Sequence, residues 1–440
     1  MEVRQAEAAN AAAACPIRAG GSPLGGASLT EPHNIAHPNA FYREMRDKDP
    51  VYFDEKLDRW LVSRFEDIWT VLKDPVSYSF KHGYFDTLGG GFFQEFKAIL
   101  ERDGQGYFPD VIMEDPPAHT RVRRLTEKAF TAHRVAAIEA RMTEIADDLL
   151  GCMLDRCAAG EVVDGVHDFA GPFTVRVICE QLGISQFEAE KIQRWSYAYV
   201  AQISCMQDRA MMLENARQVC ELQNFIIAEM RARQAEPRED MISDIVHAQL
   251  EDGTTLTFEE AVSIVRAIIV GGHETTATGL SNLLFLLATR PEIEQQLRDS
   301  VHDDRKLTRF VEEVLRLAPP SRALSRTTTC EVELGGKRLP KGAHLLVVFE
   351  SGNDDETIFA CPRDFDPERA NLGKHVSFGG GVHRCIGASL ARGEIKVSAR
   401  EIARRIDQIR LAIPAEAIEY MPTVATHSIK HLPLHLTRRA

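Results

Sequence analysis

The sequence from Phe378 to Gly387 reads Phe-Gly-Gly-Gly-Val-His-Arg-Cys-Ile-Gly and decides the fold of this chain. It places one thiol, that of Cys385, at the end of a glycine-rich loop. A run with the apolar spacing of a helix begins immediately afterwards, at Ala388. A thiol at the start of a helix faces unpaired backbone N–H groups and the positive end of the helix dipole, which favour the metal-binding thiolate form. The loop is therefore a candidate metal-binding site.

Other interpretations of this loop are weaker. A single cysteine inside a protein is usually a small buried apolar residue, and a glycine-rich loop before a helix often holds phosphate. Here no Lys-Ser or Lys-Thr pair follows the glycines, and no G-x-G-x-x-G motif follows a strand, which disfavours nucleotide-binding loops. Glycines at 379, 380, 381 and 387 would instead let the backbone approach a flat macrocycle. A cysteine ligand on haem iron favours cleavage of an O–O bond.

The pattern F-G-x-G-x-H-x-C-x-G closely resembles the haem-binding loop of the cytochrome P-450 family, and every fixed position matches. The resemblance implies that Cys385 ligates the iron of haem b (iron-protoporphyrin IX), with Phe378 and Gly387 beside the cofactor. It also implies a mainly α fold with a small β portion, the single-domain triangular helical prism of that family. The resemblance covers nearly all of residues 32–440, and the motifs below follow in the family's order.

A second motif, Gly271-Gly272-His273-Glu274-Thr275, lies inside a long helix predicted over 258–287. Two glycines are costly in a helix, and a threonine there can bond back to the carbonyl four residues earlier and open a notch. A zinc H-E-x-x-H motif is excluded because Ala occupies position 277. The segment resembles the A/G-G-x-D/E-T motif that crosses the oxygen face of the haem. The resemblance implies that Thr275 hydrogen-bonds oxygen and that Glu274 helps to deliver protons.

A third motif, Glu313-x-x-Arg316, places two opposite charges on one helix face among apolar neighbours. The family pairs these residues with a later arginine, and Arg369 occupies that place here. This trio is structural rather than catalytic. The sequence departs from the family at Ala370, where an aromatic residue is common, and at residues 353–356, where the usual Asn-Arg-Asp-Pro turn reads Asn-Asp-Asp-Glu.

Haem propionates are carboxylates that need fixed cations or N–H donors. The resemblance offers four residues at the family's positions: His119 and Arg123, then Arg326, expected just before a strand, and then His383. Each alone is more simply interpreted as a surface cation. Four at the expected places favour the cofactor site.

Composition limits the class of protein. The chain has 440 residues and 44% hydrophobic content, enough for a large core, and its net charge of −13 argues against nucleic acid as the main partner. Its nine cysteines lack zinc-type spacing, as expected of reduced thiols in a cytoplasmic protein. Residues 1–31 are predicted to be a disordered tail without a secretory signal, and no apolar run reaches the ~18 residues needed to span a bilayer. These features favour a soluble, bacterial-type protein without a membrane anchor.

Hydrophobic periodicity predicts helices over most of the chain and a few strands, at 51–53, 60–62, 332–339 and 344–349. Residues 81–112 lose this periodicity and combine glycines with aromatic residues. We consider two interpretations of this segment, a short helix packed on the core and an irregular loop in contact with substrate.

The resemblance implies a monooxygenase that inserts one atom of O₂ into a hydrophobic organic substrate, by hydroxylation or epoxidation. The chain contains no flavin or iron–sulfur module, so electrons are expected from a separate ferredoxin or flavodoxin with its NAD(P)H-dependent reductase. Basic side chains that could form a docking face for this partner are Arg121, Arg124, Arg384, Arg392 and Lys396.

The substrate itself cannot be read from the sequence, although aromatic, terpenoid or steroid-like molecules fit an apolar pocket. The family's pocket segments correspond here to residues 85–112, 195–206, 267–275, 318–324 and 423–426. The residues named as candidate pocket walls are Phe85, Phe92, Phe93, Phe108, Ala267, Ala318, Ala323 and Leu324.

Two alternatives to the monooxygenase remain at this stage. A peroxide-driven peroxygenase is disfavoured because it would not need the acid–alcohol pair Glu274-Thr275. A haem sensor or carrier without turnover is disfavoured by the same pair and by the aromatic-rich segment. Oxidation of NADH coupled to product formation would separate the second alternative from the enzyme.

Overall fold

The computed structural model describes residues 24–85, 92–130, 136–203, 208–250 and 252–439. The predicted tail up to residue 23, the glycines at 89–91, the side chain of Phe85 and the pocket residues 204–206 lie outside this description. Within the predicted tail, however, Leu29 is fully buried, and Ser28 donates a 2.8 Å hydrogen bond to Asp54. Packed structure therefore includes residues 24–31, and the predicted boundary at residue 32 is too late.

Helices make up most of the described chain, as the apolar periodicity predicts. In chain order they are α1 (Pro32–Ala36), α2 (Asn39–Lys48), α3 (Phe65–Lys73), α4 (Phe80–Phe85), α5 (Phe93–Asp103), α6 (Ala118–Thr126), α7 (Glu139–Ala158), α8 (Gly171–Leu182), α9 (Ala189–Ile203), α10 (Arg209–Ala235), α11 (Met241–Val246), α12 (Phe258–Thr289), α13 (Pro291–Ser300), α14 (Asp304–Leu317), α15 (Phe349–Asn353) and α16 (Ala388–Arg405). Aliphatic and aromatic side chains from α5 through α14 and from α16 share one large buried core, which makes the helical region a single packed unit.

Within the described ranges, ten short strands form three small sheets beside the helices. They are β1 (Val51–Asp54), β2 (Arg59–Val62), β3 (Tyr78–Ser79), β4 (Val163–Asp164), β5 (Ala323–Thr328), β6 (Val332–Leu334), β7 (Lys337–Leu339), β8 (His344–Val348), β9 (Ile406–Leu411) and β10 (Pro433–Arg438). The largest sheet has the order β1-β2-β8-β5-β3, with β2 and β8 parallel and its other pairs antiparallel. The smaller sheets are β4-β10-β9 and β6-β7.

Helix α12 is the longest element and runs through the core. Its first turn is fixed by a capping box, in which Thr257 accepts from the Glu260 backbone and the Glu260 carboxylate accepts from the Thr257 backbone. Most of its residues are buried on all sides, which explains the nearly continuous apolar sequence. The helix continues through Gly271 and Gly272 without a break, so packing outweighs the low helix propensity of glycine.

Two sequence predictions need correction, and one open question about the segment 81–112 is answered. Helix α5 occupies 93–103 and buries Phe96 at helical spacing from Ile99 and Leu100, so this part of the segment is the short helix packed on the core. The predicted strand 332–339 is a hairpin of two strands, because Gly335 and Gly336 turn the chain with φ of 55° and 76°. Arg326 lies within strand β5 rather than before a strand.

Among the described helices, none combines the length and the apolar character that crossing a membrane requires.

Candidate active site

One cavity of about 340 Å³ is lined both by the glycine-rich loop and by helix α12. This volume lies within the ~300–1,000 Å³ range of small-molecule sites. Nine residues predicted to bind the cofactor, together with Thr275, line it: His119, Arg123, Gly271, Gly272, Arg326, Phe378, His383, Cys385 and Gly387. The fold therefore brings these residues from four separate parts of the sequence to one cavity.

Cys385 borders this cavity three residues before α16 begins. Its backbone N–H donates a 2.9 Å hydrogen bond to the carbonyl of Phe378, which closes the loop. Burial raises the pKa of the thiol, and a backbone hydrogen bond from Gly387 and nearby arginines only partly oppose this effect. The backbone N–H at the helix start therefore favours the thiolate, as predicted, but does not outweigh the loss of solvation. A coordinated metal cation would deprotonate the thiol directly.

The glycines of the loop serve the packing of helix α3 as well as the cavity. Gly379 and Gly381 have φ of 64° and 63°, which side-chain-bearing residues rarely adopt. A Cβ on Gly381 would also collide with the backbone carbonyl of Leu72. A Cβ on Gly387, in contrast, would lie 4.0 Å from the Cys385 sulfur, its nearest neighbour, so space at this position opens toward the thiol.

A cluster of nitrogen donors lies at one edge of the cavity. The rings of His119 and His383 are 4.2 Å apart between centroids, and His119 Nδ1 and His383 Nε2 are buried without a hydrogen-bond partner among the described residues. Arg326 is 3% exposed, and its guanidinium lies 4.0 Å from the centre of the Phe80 ring. Burial lowers the pKa of Arg326 to about 10, and burial and the neighbouring cations lower the pKa of His383 to about 3.

Buried donors without acceptors are costly, so this cluster fits an anionic group that enters the cavity. Haem propionates are such groups, and the unpaired nitrogens of His119 and His383 and the guanidinium of Arg326 could hold them. Arg123 is less available to bind a propionate, because it pairs with Glu127 at 2.6 Å and donates to the Arg384 carbonyl at 2.7 Å. The donor set and the thiol together fit a haem.

Helix α12 contributes its two glycines in different ways. A Cβ on Gly271 would meet nothing within 4 Å, so this glycine leaves open space where it lines the cavity. A Cβ on Gly272 would approach Ile178 to 2.9 Å, so this glycine lets α8 pack closely. Thr275 Oγ1 donates a 2.7 Å hydrogen bond to the Gly271 carbonyl, which confirms the predicted back-bond.

Glu274 does not line the cavity, unlike its neighbour Thr275. Burial raises the pKa of the Glu274 carboxyl to about 8, and its Oε2 has no hydrogen-bond partner among the described residues. The adjacent His273 is fully buried, its pKa falls to about 4 for the same reason, and its ring lies 5.4 Å from that of Tyr197. With a pKa of about 8 the acid holds its proton near pH 7, and it interacts electrostatically with Tyr197 of helix α9.

The predicted structural trio is present and fully buried. Arg316 forms two hydrogen bonds to the Glu313 carboxylate, at 2.7 and 2.8 Å, and Arg369 Nε donates to Glu313 at 3.0 Å. Arg316 also donates to the carbonyls of Asn353 and Pro362. The trio therefore fastens helix α14 to the irregular segment that leads to the glycine-rich loop.

The substrate-facing wall differs from its prediction. Ala267 and Leu324 line the cavity as expected, whereas the described side chains of Phe92, Phe93 and Phe108 pack elsewhere. Ala318 and Ala323 are also absent from the lining, as are residues 195–203 and 423–426.

Residues that sequence reasoning missed at the cavity are Met113, Ile178, Ile264 and Glu394, whereas Ile112 belongs to the predicted pocket segment 85–112. Glu394 is fully buried and neither carboxylate oxygen has a described partner, so burial raises its pKa well above the usual value. The sequence feature that could have identified Glu394 is a single acidic residue on the apolar face of α16. The aliphatic residues carried no comparable signal, because apolar side chains at helical spacing usually mark a core.

The predicted basic face is largely neutralised. Arg121 pairs with Glu260, Arg392 with Glu312 at 2.5 Å, and Lys396 with Asp304 at 2.6 Å. Arg124 and Arg384 are exposed, and the described part of the chain offers them no ion pair.

Comparison with known proteins gives a consistent result. A family model described as cytochrome P-450 matches residues 94–405. The chain is 32% identical to 6-deoxyerythronolide B hydroxylase of Saccharopolyspora erythraea, over 90% of this chain and 95% of that protein. It is 31% identical to mycinamicin IV hydroxylase/epoxidase of Micromonospora griseorubida, over 89% and 94%. Among solved structures, a cytochrome P-450 from Chondromyces apiculatus matches with a TM-score of 0.80 and 30% identity, over 94% of this chain and 98% of that one.

Proposed function

The chain belongs to the cytochrome P-450 family and is a monooxygenase, and we propose that it hydroxylates or epoxidises a hydrophobic organic molecule with O₂. The observation that carries the proposal is the convergence of Cys385, Thr275 and the donor cluster on one cavity. When bound there, haem with a thiolate ligand supplies the activation of O₂ and the transfer of one oxygen atom. Cys385 would be the ligand, and His119, His383 and Arg326 would hold the propionates.

The residues of α12 have distinct proposed roles in proton supply. The Thr275 hydroxyl donates a hydrogen bond to the Gly271 carbonyl, so its oxygen remains available to accept a hydrogen bond from water or from a protonated reactant. Glu274, with a pKa of about 8, holds a proton at neutral pH and is the proposed source. Because Glu274 does not line the cavity, the proton must travel by way of water or by movement of the side chain.

The substrate is proposed from the chemistry of the wall. Phe80, Ile112, Ile178, Ile264 and Leu324 present apolar surface to the cavity, which excludes water and favours an aromatic, terpenoid or steroid-like molecule over a charged one. Hydroxylation and epoxidation are both supported as reactions by the names of the relatives.

The electron source is proposed to be a ferredoxin or flavodoxin with its NAD(P)H-dependent reductase. Arg124 and Arg384 are the exposed cations that remain available for its acidic surface. Charge reversal at both positions should slow reduction and weaken its dependence on salt concentration. Unchanged reduction rates at low salt would remove this docking face from the proposal.

The central test is the absorbance difference spectrum of the dithionite-reduced protein with carbon monoxide. We expect a strongly red-shifted Soret band, as thiolate-ligated haem gives, and NADPH oxidation with a surrogate ferredoxin system that rises when an apolar substrate shifts the iron spin state. A band at the position of histidine-ligated haem would contradict the role of Cys385. Substrate binding without NADPH oxidation would instead favour a haem sensor or carrier.

A further inference from the structure

A buried polar network lies on α12 outside the catalytic groups. Arg266 is 2% exposed, yet its guanidinium is directed at three acceptors. Nη1 donates to Gln223 Oε1 at 2.8 Å, and Nη2 donates to Asp110 Oδ1 at 2.6 Å and to the Phe108 carbonyl at 2.7 Å. A buried, forked arginine of this kind fixes the position of every group that it contacts.

The partners of Arg266 belong to three other parts of the chain. Gln223 lies on α10, and its Nε2 donates to the carbonyls of Gly104 and Gly106, the latter at 2.7 Å. Tyr199 lies on α9, and its hydroxyl donates to the other oxygen of Asp110. Helices α9, α10 and α12 therefore hold the segment 104–113 through side-chain bonds.

This segment, residues 104–113, has little regular backbone structure to hold it in place. Gln105 and Gly106 have positive φ of 62° and 135°, and a strained backbone persists only where its surroundings impose it. The Val111 backbone N–H donates to Ser263 Oγ of α12 at 3.0 Å. The next two residues, Ile112 and Met113, line the cavity. The part of the segment that faces substrate thus begins two residues after Asp110.

We propose that Arg266 is a positioning residue of the substrate site, which holds the wall formed by Ile112 and Met113 through its buried pair with Asp110. The inference rests on the proposed monooxygenase function. It adds which residues determine the size of the molecule that the cavity accepts. Removing one member of a buried pair leaves an uncompensated charge, which is strongly destabilising. The intact pair therefore holds the segment in one strongly preferred position. Loss of the pair would free Ile112 and Met113 without touching the cofactor ligands.

The chain offers a matched control. Arg233 on α10 is also fully buried, donates to Asp240 at 3.0 Å and donates to the Gly183 carbonyl at 2.7 Å. None of these three residues lines the cavity. Neutralising Asp240 should therefore destabilise the protein to a similar extent as neutralising Asp110, but at a distance from the substrate wall.

The experiment compares the haem-loaded wild type with Asp110→Asn, Tyr199→Phe and Asp240→Asn. Amide hydrogen exchange is measured across residues 104–113, and haem absorbance gives the affinity for imidazole and for the bulkier 4-phenylimidazole. We expect Asp110→Asn to speed exchange in the segment about tenfold and to change 4-phenylimidazole affinity about fivefold, with imidazole affinity within about twofold. Tyr199→Phe should change segment exchange and 4-phenylimidazole affinity in the same pattern, by about threefold. It serves as the second variant if Asp110→Asn does not fold.

Asp240→Asn should leave both azole affinities and exchange in 104–113 unchanged. Equal effects of Asp110→Asn and Asp240→Asn on the segment and on 4-phenylimidazole would mean general destabilisation and would overturn the proposal, as would unchanged exchange in Asp110→Asn and Tyr199→Phe. The wild-type carbon monoxide spectrum, recorded first, separates this failure from failure of the haem-thiolate function.

Discussion

Two walls of the same cavity differ in how the sequence encodes them. The thiol wall, residues 377–387, is one continuous motif in which the proposed ligand Cys385, the proposed donor His383 and the loop glycines all stand within a few residues of one another. The apolar wall that we propose to face substrate, called the substrate wall, consists of Phe80, Ile112, Ile178, Ile264 and Leu324, which are scattered over some 240 positions. Chemistry that accepts only one residue type is therefore encoded as a continuous motif, whereas a wall that needs only apolar volume is not.

The physical reason lies in tolerance to substitution. Gly379 and Gly381 have positive φ, and Gly381 leaves no room for a side chain beside Leu72, so other residues would be strained there. An apolar wall accepts many exchanges of similar volume at modest cost. The following predictions test this difference, since changes at the thiol wall should be severe and changes at the substrate wall graded.

The largest effect is expected from Cys385→Ala. It removes the only side chain on the thiol wall that can supply a thiolate, so the red-shifted carbon monoxide band and the NADPH-dependent activity should both disappear. The measurement is the difference spectrum together with product formation. Cys330→Ala, at an exposed residue that does not line this cavity, serves as the control and should match the wild type. A retained red-shifted band in Cys385→Ala would refute the assignment of the ligand.

The next largest effect is expected from Glu313→Gln, which tests the support behind the thiol wall. The change leaves Arg316 and Arg369 buried without a charge partner and should cost about 3–5 kcal/mol of unfolding free energy, with weaker retention of haem. Chemical denaturation followed by haem absorbance gives this value. Glu144→Gln, which breaks the exposed pair with Arg141, should cost less than about 1 kcal/mol. Equal losses of unfolding free energy in the two variants would mean that burial of the trio does not strengthen its contribution to stability.

The thiol wall and its supports were largely predictable from sequence. Local spacing specifies Glu313 and Arg316 on one helix face and Thr275 one turn after Gly271, because α-helical geometry is regular. The capped end of α12 and the hairpin β1-β2 also follow from local patterns. Local helical geometry did not predict that the Glu274 side chain is absent from the cavity lining, because its position depends on how α9 packs.

The substrate wall was not predictable for a related reason. Phe92, Phe93 and Phe108 looked like candidate walls because aromatic residues in an irregular stretch suggest a binding loop. Helix α5 instead turns its aromatic residue Phe96 into the core, and the aliphatic pair Ile112 and Met113 reaches the cavity. That choice is made by long-range bonds such as the one between Arg266 and Asp110, which no periodicity records.

The half-buried acid Glu274 on α12 predicts a pH dependence of stability. The pKa of Glu274 is about 8 in the folded protein against 4.5 as its ordinary value, so the unfolded chain gives up its proton first as pH rises. Stability should therefore fall between about pH 4.5 and 8, by on the order of 2–4 kcal/mol, and level off above pH 8. The difference in unfolding free energy between Glu274→Gln and the wild type, measured across this range, isolates the effect from His273. A constant difference would show that Glu274 ionises normally.

A smaller effect is expected from Thr275→Val, which keeps the shape of the side chain and removes its hydroxyl. The variant should retain the carbon monoxide spectrum but direct about tenfold more of the consumed NADPH to peroxide than to product. The measurement is the ratio of peroxide to NADPH with a surrogate ferredoxin system. Thr289→Val is a matched control, because Thr289 makes the same back-bond, to Phe285 at 2.7 Å, at the far end of α12. A similar ratio in both variants would assign the effect to the helix rather than to the hydroxyl.

The smallest effect is expected at the substrate wall itself. Ile112→Ala removes apolar surface from the cavity and should change the affinity for 4-phenylimidazole about threefold to tenfold, with the carbon monoxide spectrum unchanged. Phe92→Leu changes a residue that the sequence favoured as a pocket wall but that packs on the core. The affinity of this variant for 4-phenylimidazole should stay within about twofold of the wild-type value. If the order were reversed, the aromatic stretch would contact substrate after all, and the wall would be readable from local sequence. The expected order would instead show that tertiary bonds to α12 select which side chains face the substrate.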